Sequence, residues 1–335
     1  MKTTTRLIAA TLLALASAAG ANAQTMLRFS HTDTPVGSRQ QAAEFFAAKV
    51  KEYTQNRFNV QVFHSGQLAN DPKAIEQLQL GGIDFTVSAT GSYAALHRPL
   101  NLTALPFLVD TYEQGWELYD NSPWLKAQFA QMAGRGVRVI ATWEAGFRSF
   151  TTKEPLNSPD DARGKRMRVF PNDMIRWIME AIGFSPVVLP VTEVYLALQQ
   201  GVVIGQENPV DTIFSQRFYE VAPNITMTQH VYSPLPMTIA EPTWQRLSPN
   251  DRNAISRAAR ESAEFSRKLV RDAEAGQLAE MQSKGARVAR PPIDPFRAAV
   301  ASVYDKARET YGKDVVDTLL ADAETIRKAM PRPTN

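Results

Sequence analysis

Two arginines and an asparagine in the middle of the chain carry the side chains needed to bind a small carboxylate. Arg148 lies in a β-type run, Phe147–Thr152. Arg168 lies in a second one, Arg166–Phe170, and Asn208 stands directly before a proline, where the backbone is extended or turning. A guanidinium grips both oxygens of a carboxylate at once, and an amide adds a further N–H donor. The alternative is that strand-end arginines form surface ion pairs, which stabilise a protein little.

An ordered series of short motifs accompanies these residues over nearly the whole chain. The motifs are Q-L-A-N-D at Gln67–Asp71, G-x-I-D-F at Gly81–Phe85, A-L-P-F at Ala104–Phe107, G-x-R at Gly146–Arg148, K-R-M-R-V at Lys165–Val169, E-V-Y-L-A-L-Q at Glu193–Gln199 and G-Q-E-N-P at Gly205–Pro209. The series resembles the extracytoplasmic solute-binding proteins of TRAP transporters, the DctP type. This resemblance implies an α/β, two-domain periplasmic-binding-protein-like fold, with a cleft between the domains and a long helix spanning both.

The resemblance also implies roles for individual residues. The arginine matching Arg168 makes a paired salt bridge to the ligand carboxylate. Arg148 matches a second basic contact, and Asn208 matches a residue whose amide reaches the same carboxylate. Phe170 is placed to stack on a ligand, although the family often has a proline here. Sialic-acid-binding relatives carry charged contacts in a segment that here contains Ala89, which argues against sialic acid as the ligand.

Further candidates are polar or aromatic residues expected to reach the same cleft. They are Glu144, His31, Asp33, Asn70, Trp143 and Asp211. Open α/β sheets bind ligands beyond the carboxyl ends of their strands, which is where His31, Asp33 and Asn70 fall. Oxygens of Glu144, Asp33 or Asn70, and of the adjacent Asp71, would accept hydrogen bonds from ligand hydroxyls. Trp143 is alternatively a core residue, and Asp211 alternatively caps the following helix.

The first 23 residues have the pattern of a secretory signal peptide. Lys2 and Arg6 supply positive charge, Leu7–Ala19 is an apolar run too short to span a bilayer, and Ala21–Ala23 is an A-x-A cleavage site. The predicted location of the mature protein is therefore the periplasm.

Alternating strand and helix patterns predict a βαβ layout with mostly parallel sheets. The mature chain, about 310 residues, is long enough for two domains. The predicted first domain is 24–145 plus about 230–265, and the second is 146–229 plus about 266–330. A helix predicted from Pro249 to about Lys284 would be roughly 50 Å long, enough to span both.

Composition argues against several classes of protein. The chain has 37 basic and 34 acidic residues, and without Lys2 and Arg6 the balance is 35 to 34, unlike a nucleic-acid-binding protein. It has no cysteine, so disulfides and thiolate metal sites are excluded. The four histidines lack metal-ligand spacing, and the common nucleophile and phosphate-loop motifs are missing. We therefore expect no cofactor, no metal and no catalysis.

These observations predict a monomeric periplasmic binding protein that captures an organic acid by hinge closure and delivers it to the membrane subunits of a TRAP permease. Hydroxyl-binding candidates favour a sugar acid, such as a hexuronate or aldonate. C4-dicarboxylates and aromatic or oxo acids remain alternatives. A periplasmic lyase or hydrolase acting on acidic sugars, or a sensory receptor for a membrane kinase, could share an arginine-lined cleft.

Overall fold

The computed structural model describes residues Gln24–Arg332, so the predicted signal peptide lies outside the described residues. The strands are β1 Thr25–Ser30, β2 Phe58–Phe63, β3 Phe85–Val87, β4 Val137–Trp143, β5 Phe147–Thr152, β6 Arg166–Val169, β7 Ser185–Val188, β8 Gly205–Pro209, β9 Asn224–Tyr232, β10 Leu235–Ala240 and β11 Arg287–Ala289. The α-helices are α1 Ser38–Tyr53, α2 Asp71–Gln79, α3 Tyr112–Asn121, α4 Pro123–Ala133, α5 Asp173–Ile182, α6 Val194–Gln199, α7 Val210–Ser215, α8 Phe218–Val221, α9 Glu241–Arg246, α10 Pro249–Ser283, α11 Asp294–Ala299, α12 Ala301–Tyr311 and α13 Lys313–Ala329.

The strands form two mixed sheets. The first has the order β2-β1-β3-β10-β4, and the second has the order β11-β9-β5-β8-β6-β7. β1 runs parallel to β2 and β3, but β10 is antiparallel to both of its neighbours. In the second sheet β5 is antiparallel to β8 and β9. The prediction of mostly parallel sheets is therefore only partly correct, because the chain crosses from β9 back into the first sheet as β10.

Each sheet has its own hydrophobic core. Phe29, Phe46 and Phe85 are fully buried on the first sheet, in aromatic contact with one another. Phe150 and Met167 are fully buried on the second sheet. Burying a side chain of this size contributes roughly 1.5–3 kcal/mol, so each core contributes to the stability of its own sheet.

The long helix was predicted correctly and connects the two cores. Ser248 caps α10 by accepting a hydrogen bond from the backbone N–H of Asp251 at 3.2 Å. Near its start Ile255 is buried in the core of the first sheet, and near its end Met281 is buried in a cluster beside the second. After β11 the chain forms two short helices, α11 and α12, divided at Val300. Within the described residues, no helix is both long and apolar enough to cross a membrane.

Candidate functional site

The two sheets face each other across a cleft to which both contribute side chains. Arg148, Asn208 and Arg168 lie on β5, β8 and β6, which are adjacent strands of the second sheet. The lining residues around them are Arg39, Asp71, Ala89, Ser92, Ala145, Phe170, Pro209, Ser233 and Leu235. The structure thus brings together four of the residues predicted from sequence: Arg148, Arg168, Phe170 and Asn208.

Arg168 is a buried cation that has no counter-ion among the described residues. Its side chain is 1% exposed, and its Nε donates to the carbonyl oxygen of Leu189 at 2.9 Å. Its two terminal nitrogens donate to no other described residue, and it forms no ion pair within Gln24–Arg332. Burial lowers the pKa of the guanidinium to about 10, so Arg168 stays charged at neutral pH. A buried charge is costly unless it is paired, so this position favours a bound anion.

Arg148 differs from Arg168 because Glu207 already neutralises it. Arg148 Nε lies 2.5 Å from Glu207 Oε2, and its Nη2 lies 2.7 Å from Oε1, with both side chains buried. Burial alone would raise the pKa of Glu207, but Arg148 and His230 outweigh it and lower the pKa to about 2. The remaining Nη1 donates to Ser233 Oγ at 3.3 Å. Two equivalent guanidinium forks, as expected from sequence, are therefore not present.

Asn208 and Phe170 line the cleft beside these arginines. The Asn208 amide donates to Gln206 Oε1 at 2.5 Å, which fixes its orientation and leaves its second N–H for another acceptor. The ring of Phe170 lies 4.9 Å from the guanidinium carbon of Arg148, a cation–π contact that closes one side of the cleft.

Glu144, Trp143 and Asn70 do not line the cleft. Glu144 is fully buried and accepts hydrogen bonds from Trp116, Tyr232 and two backbone N–H groups. Trp143 lies in the core of the first sheet and donates from Nε1 to Ser262 Oγ at 3.0 Å. Asn70 caps α2 by accepting from the Lys73 backbone N–H at 3.3 Å. Glu144 and Asn70, predicted to accept hydrogen bonds from ligand hydroxyls, thus accept them from protein groups instead, and Trp143 is the core residue given as its alternative.

Asp33 and Asp211 hold the two halves of the molecule together. Ser215 of α7 donates to Asp33 at 2.8 Å, and Ser38 of α1 donates to Asp211 at 2.5 Å. His31, also predicted to reach ligand, is buried against Gln40 at 2.8 Å, and burial lowers its pKa to about 4. Neither aspartate lines the cleft, so both connect the two halves of the protein and do not face the ligand space.

The roles of three residues at the site were not predicted from the sequence, or were predicted only in part. Asp71, considered only as a hydroxyl acceptor, lies on the opposite wall from Arg168 and accepts from Ser88 Oγ at 2.9 Å. Arg39 projects from the first turn of α1, and no pattern indicated it. Glu207 belongs to the G-Q-E-N-P motif, but the motif does not indicate that Glu207 pairs with Arg148.

The halves of the molecule are closed on each other. Beside Arg168 the cleft retains spaces of only about 30 and 80 Å³. Asn172, which caps the N-terminus of α5, donates across the cleft to the carbonyl oxygen of Gly91 at 3.3 Å. Because a space of this size holds a few waters at most, a larger ligand requires the halves to separate before it can reach Arg168.

The Asp211 contact is expected to make closure sensitive to pH. Burial and the nearby negative charge of Asp33 raise the pKa of Asp211 from 3.8 to about 6, while hydrogen bonds from Ser38 and Gln277 and the charge of Arg39 oppose this rise. If opening exposes Asp211 to water, the closed form binds the proton more tightly. Closure is then favoured most below about pH 4 and loses this contribution as the pH rises towards 6.

We therefore expect ligand affinity to fall by up to about a hundredfold between about pH 4 and pH 6. The limit follows because a shift of about two pKa units in one group changes an equilibrium constant by at most about a hundredfold. Asp211→Asn should flatten this dependence, as measured by calorimetric titration across the range. Asp160→Asn, which removes an exposed carboxylate elsewhere, should leave it intact. Equal pH slopes for parent and Asp211→Asn would refute the role of this contact.

Two sheets, a bridging helix and a closed cleft with a buried cation define a two-lobed binding protein. Comparison with known proteins gives the family. The family model described as bacterial extracellular solute-binding protein, family 7 (DctP), matches residues 29–310. The chain therefore belongs to the family 7 extracellular solute-binding proteins, whose members serve transport systems rather than catalysis. Its two-lobed fold, expected from sequence, is confirmed.

Individual relatives cover nearly the whole chain. The sialic acid-binding periplasmic protein SiaP of Vibrio cholerae is 30% identical over 331 residues, which is 96% of this chain and 100% of SiaP. A TRAP periplasmic solute-binding protein from Roseobacter denitrificans, solved with β-D-glucuronate, has 30% identity and a TM-score of 0.84, covering 88% of this chain and 99% of its own. The sugar acid-binding protein DctPAm of Advenella mimigardefordensis, solved with galactonate, has 27% identity and a TM-score of 0.88, covering 90% and 99%.

Proposed function

We propose that this protein captures a sugar monocarboxylate, such as a hexuronate or an aldonate, and delivers it to a TRAP permease. The observation that carries the proposal is Arg168, a buried guanidinium at the cleft whose two terminal nitrogens donate to no described residue. A carboxylate bound there would restore charge balance and accept two parallel hydrogen bonds. The remaining N–H of Asn208 lies on the neighbouring strand and supplies a further donor.

The charges of the cleft favour one carboxylate and several hydroxyls. Because Glu207 neutralises Arg148, the charged side chains left in the lining are Arg168 and Arg39 against Asp71. One positive charge in excess matches a monoanion. Asp71 is an acceptor for hydroxyl groups and would repel a second carboxylate. The relatives solved with glucuronate and galactonate support this class of ligand.

A C4-dicarboxylate is the second candidate, and Arg39 is the observation that favours it. Its Nη2 donates to Thr212 Oγ1 at 3.3 Å, while its Nε has no partner among the described residues. A second carboxylate could bind there if Asp71 turned away. Calorimetric titration with D-glucuronate, D-galactonate and succinate separates the candidates. Tightest binding of succinate would overturn the sugar-acid proposal, and no binding of any carboxylate would overturn carboxylate capture itself.

We further propose that the closing lobes are residues 24–145 with about 230–265, and 146–229 with about 266–330, and that the first 23 residues are removed on export. Gly91 supports the closure step. A Cβ there would lie 2.3 Å from Asn172 Nδ2, and Asn172 is held in place by Asn101 and by its capping contact to α5. Gly91→Ala should therefore obstruct the closed form without affecting the open one.

The expected effect of Gly91→Ala is a fall in affinity of about 5- to 150-fold, corresponding to an overpacking cost of about 1–3 kcal/mol. Calorimetry measures the affinity, and small-angle scattering with saturating ligand measures closure. Gly276→Ala is the matched control, because a Cβ at that position of α10 meets nothing within 4 Å. Unchanged affinity in Gly91→Ala would contradict closure at this contact.

A further inference from the structure

A second cavity of about 300 Å³ shares no lining residue with the cleft. Phe147 lines it, whereas Arg148, the next residue of β5, lines the cleft, because successive strand residues point to opposite faces. We call this cavity the rear pocket. Its apolar walls include Phe107, Phe147 and Met227, and its cationic walls Arg290, Arg297 and Arg332.

The rear pocket has an excess of positive charge. Its two acidic groups have partners within the protein: Asp110 pairs with Arg297 at 3.2 Å, and Glu274 accepts a hydrogen bond from Tyr112. Arg290 and Arg332 form no ion pair with any residue in the range Gln24–Arg332. Tyr112 is neutral, so Glu274 keeps its negative charge. The two guanidinium groups of Arg290 and Arg332 against this one carboxylate leave one positive charge in excess, which favours a bound anion.

Aromatic and apolar side chains form the rest of the wall. The Arg297 guanidinium lies 4.2 Å from the centre of the Phe107 ring, so this aromatic face is held in a fixed position. Phe107 and Gln229 have φ values of +54° and +47°, a strained region for residues other than glycine. Strain of this kind persists only where surrounding contacts impose it, and it is concentrated at functional sites. Here the Phe107 N–H is held by the His230 carbonyl oxygen at 2.8 Å.

We propose that the rear pocket is a second binding site, for a small organic anion with a flat apolar body. Arg290 and Arg332 would hold its acidic group, and Phe107, Phe147 and Met227 would contact its body. The volume falls at the lower end of the range for small-molecule sites, roughly 300–1,000 Å³. This site shares no lining residue with the cleft, so it is separate from the site proposed for the transported solute.

The probe is 1-anilinonaphthalene-8-sulfonate, which joins one oxyanion to flat apolar rings and fluoresces when bound. We expect saturable binding at one site, weakened about tenfold in Arg290→Gln/Arg332→Gln, as for loss of a charge-assisted hydrogen bond. Arg260→Gln is the matched control, because it removes an exposed arginine of α10 that forms no ion pair with a described residue. Arg168→Gln controls for binding in the cleft, and neither control should change the affinity.

Methyl NMR of methionine-labelled protein locates the probe. The Met227 signal, assigned by its loss in Met227→Leu, should shift with the same saturation curve as the fluorescence. Parental affinity in the double arginine variant would overturn the proposal. Loss of binding in Arg168→Gln, or saturation without movement of the Met227 signal, would overturn it as well.

Discussion

Replacing Arg168 by alanine is expected to weaken binding of the carboxylate ligand by about 30-fold to several thousand-fold. Truncating one partner of a buried, hydrogen-bonded charge pair costs about 2–5 kcal/mol, and 1.4 kcal/mol corresponds to tenfold. Stability should not fall with the loss of this charge. Because Arg168 is buried and no residue of Gln24–Arg332 forms an ion pair with it, Arg168→Met should leave the free energy of unfolding of the unliganded protein unchanged or raise it.

Calorimetric titration with D-glucuronate and D-galactonate measures the first effect, and urea unfolding measures the second. Arg166→Ala is the matched control on the same strand, because Arg166 is exposed and its side chain donates only to the Gly201 carbonyl oxygen. It should bind as the parent does. Parental affinity in Arg168→Ala would remove the basis of the proposed function. A lower free energy of unfolding in Arg168→Met, together with lost affinity, would instead assign Arg168 a structural role.

Replacing Glu207 by alanine is expected to lower the free energy of unfolding by about 3–5 kcal/mol, the cost of leaving one member of a buried ion pair alone. Arg148 is 3% exposed and Glu207 is fully buried, so water cannot replace the lost partner. The double variant Arg148→Met/Glu207→Leu removes both charges and should lose much less. Urea unfolding of parent, single and double variants forms the cycle that measures the interaction. Equal losses of unfolding free energy in Glu207→Ala and in the double variant would contradict this role of the ion pair.

The same ion pair predicts how stability depends on acid. The pKa of Glu207 in the folded protein is about 2, below its ordinary value of 4.5. A depressed carboxyl pKa contributes stability that is fully present above about pH 4.5 and is lost as the pH falls towards 2. Glu207→Gln should remove this part of the acid sensitivity. Urea unfolding at neutral pH and at about pH 3 measures the loss of stability in acid for the parent and for Glu207→Gln. An equal loss in both proteins would argue against an ionised Glu207.

Much of the fold could be predicted from the sequence because the elements depend on local patterns. β5 has the predicted bounds, and α10 starts at the predicted Pro249. The motif series indicated the family and the cleft position of Arg168, Arg148 and Asn208. The pairing direction of β10 could not be predicted in this way, because a strand's partners depend on the path of the chain rather than on its own residues.

Within the site, the sequence by itself determined which side chains could bind a carboxylate and on which strands they lie. Only the tertiary structure decided which of them remain available. Arg148 meets Glu207 from 59 residues away, Glu144 meets Tyr232 from 88, and Asp33 meets Ser215 from 182. An arginine and a carboxylate have the same local signature whether they are paired or unpaired. Their availability is set by the charges and donors that folding brings beside them, which leaves Arg168 as a buried cation with no counter-ion among the described residues.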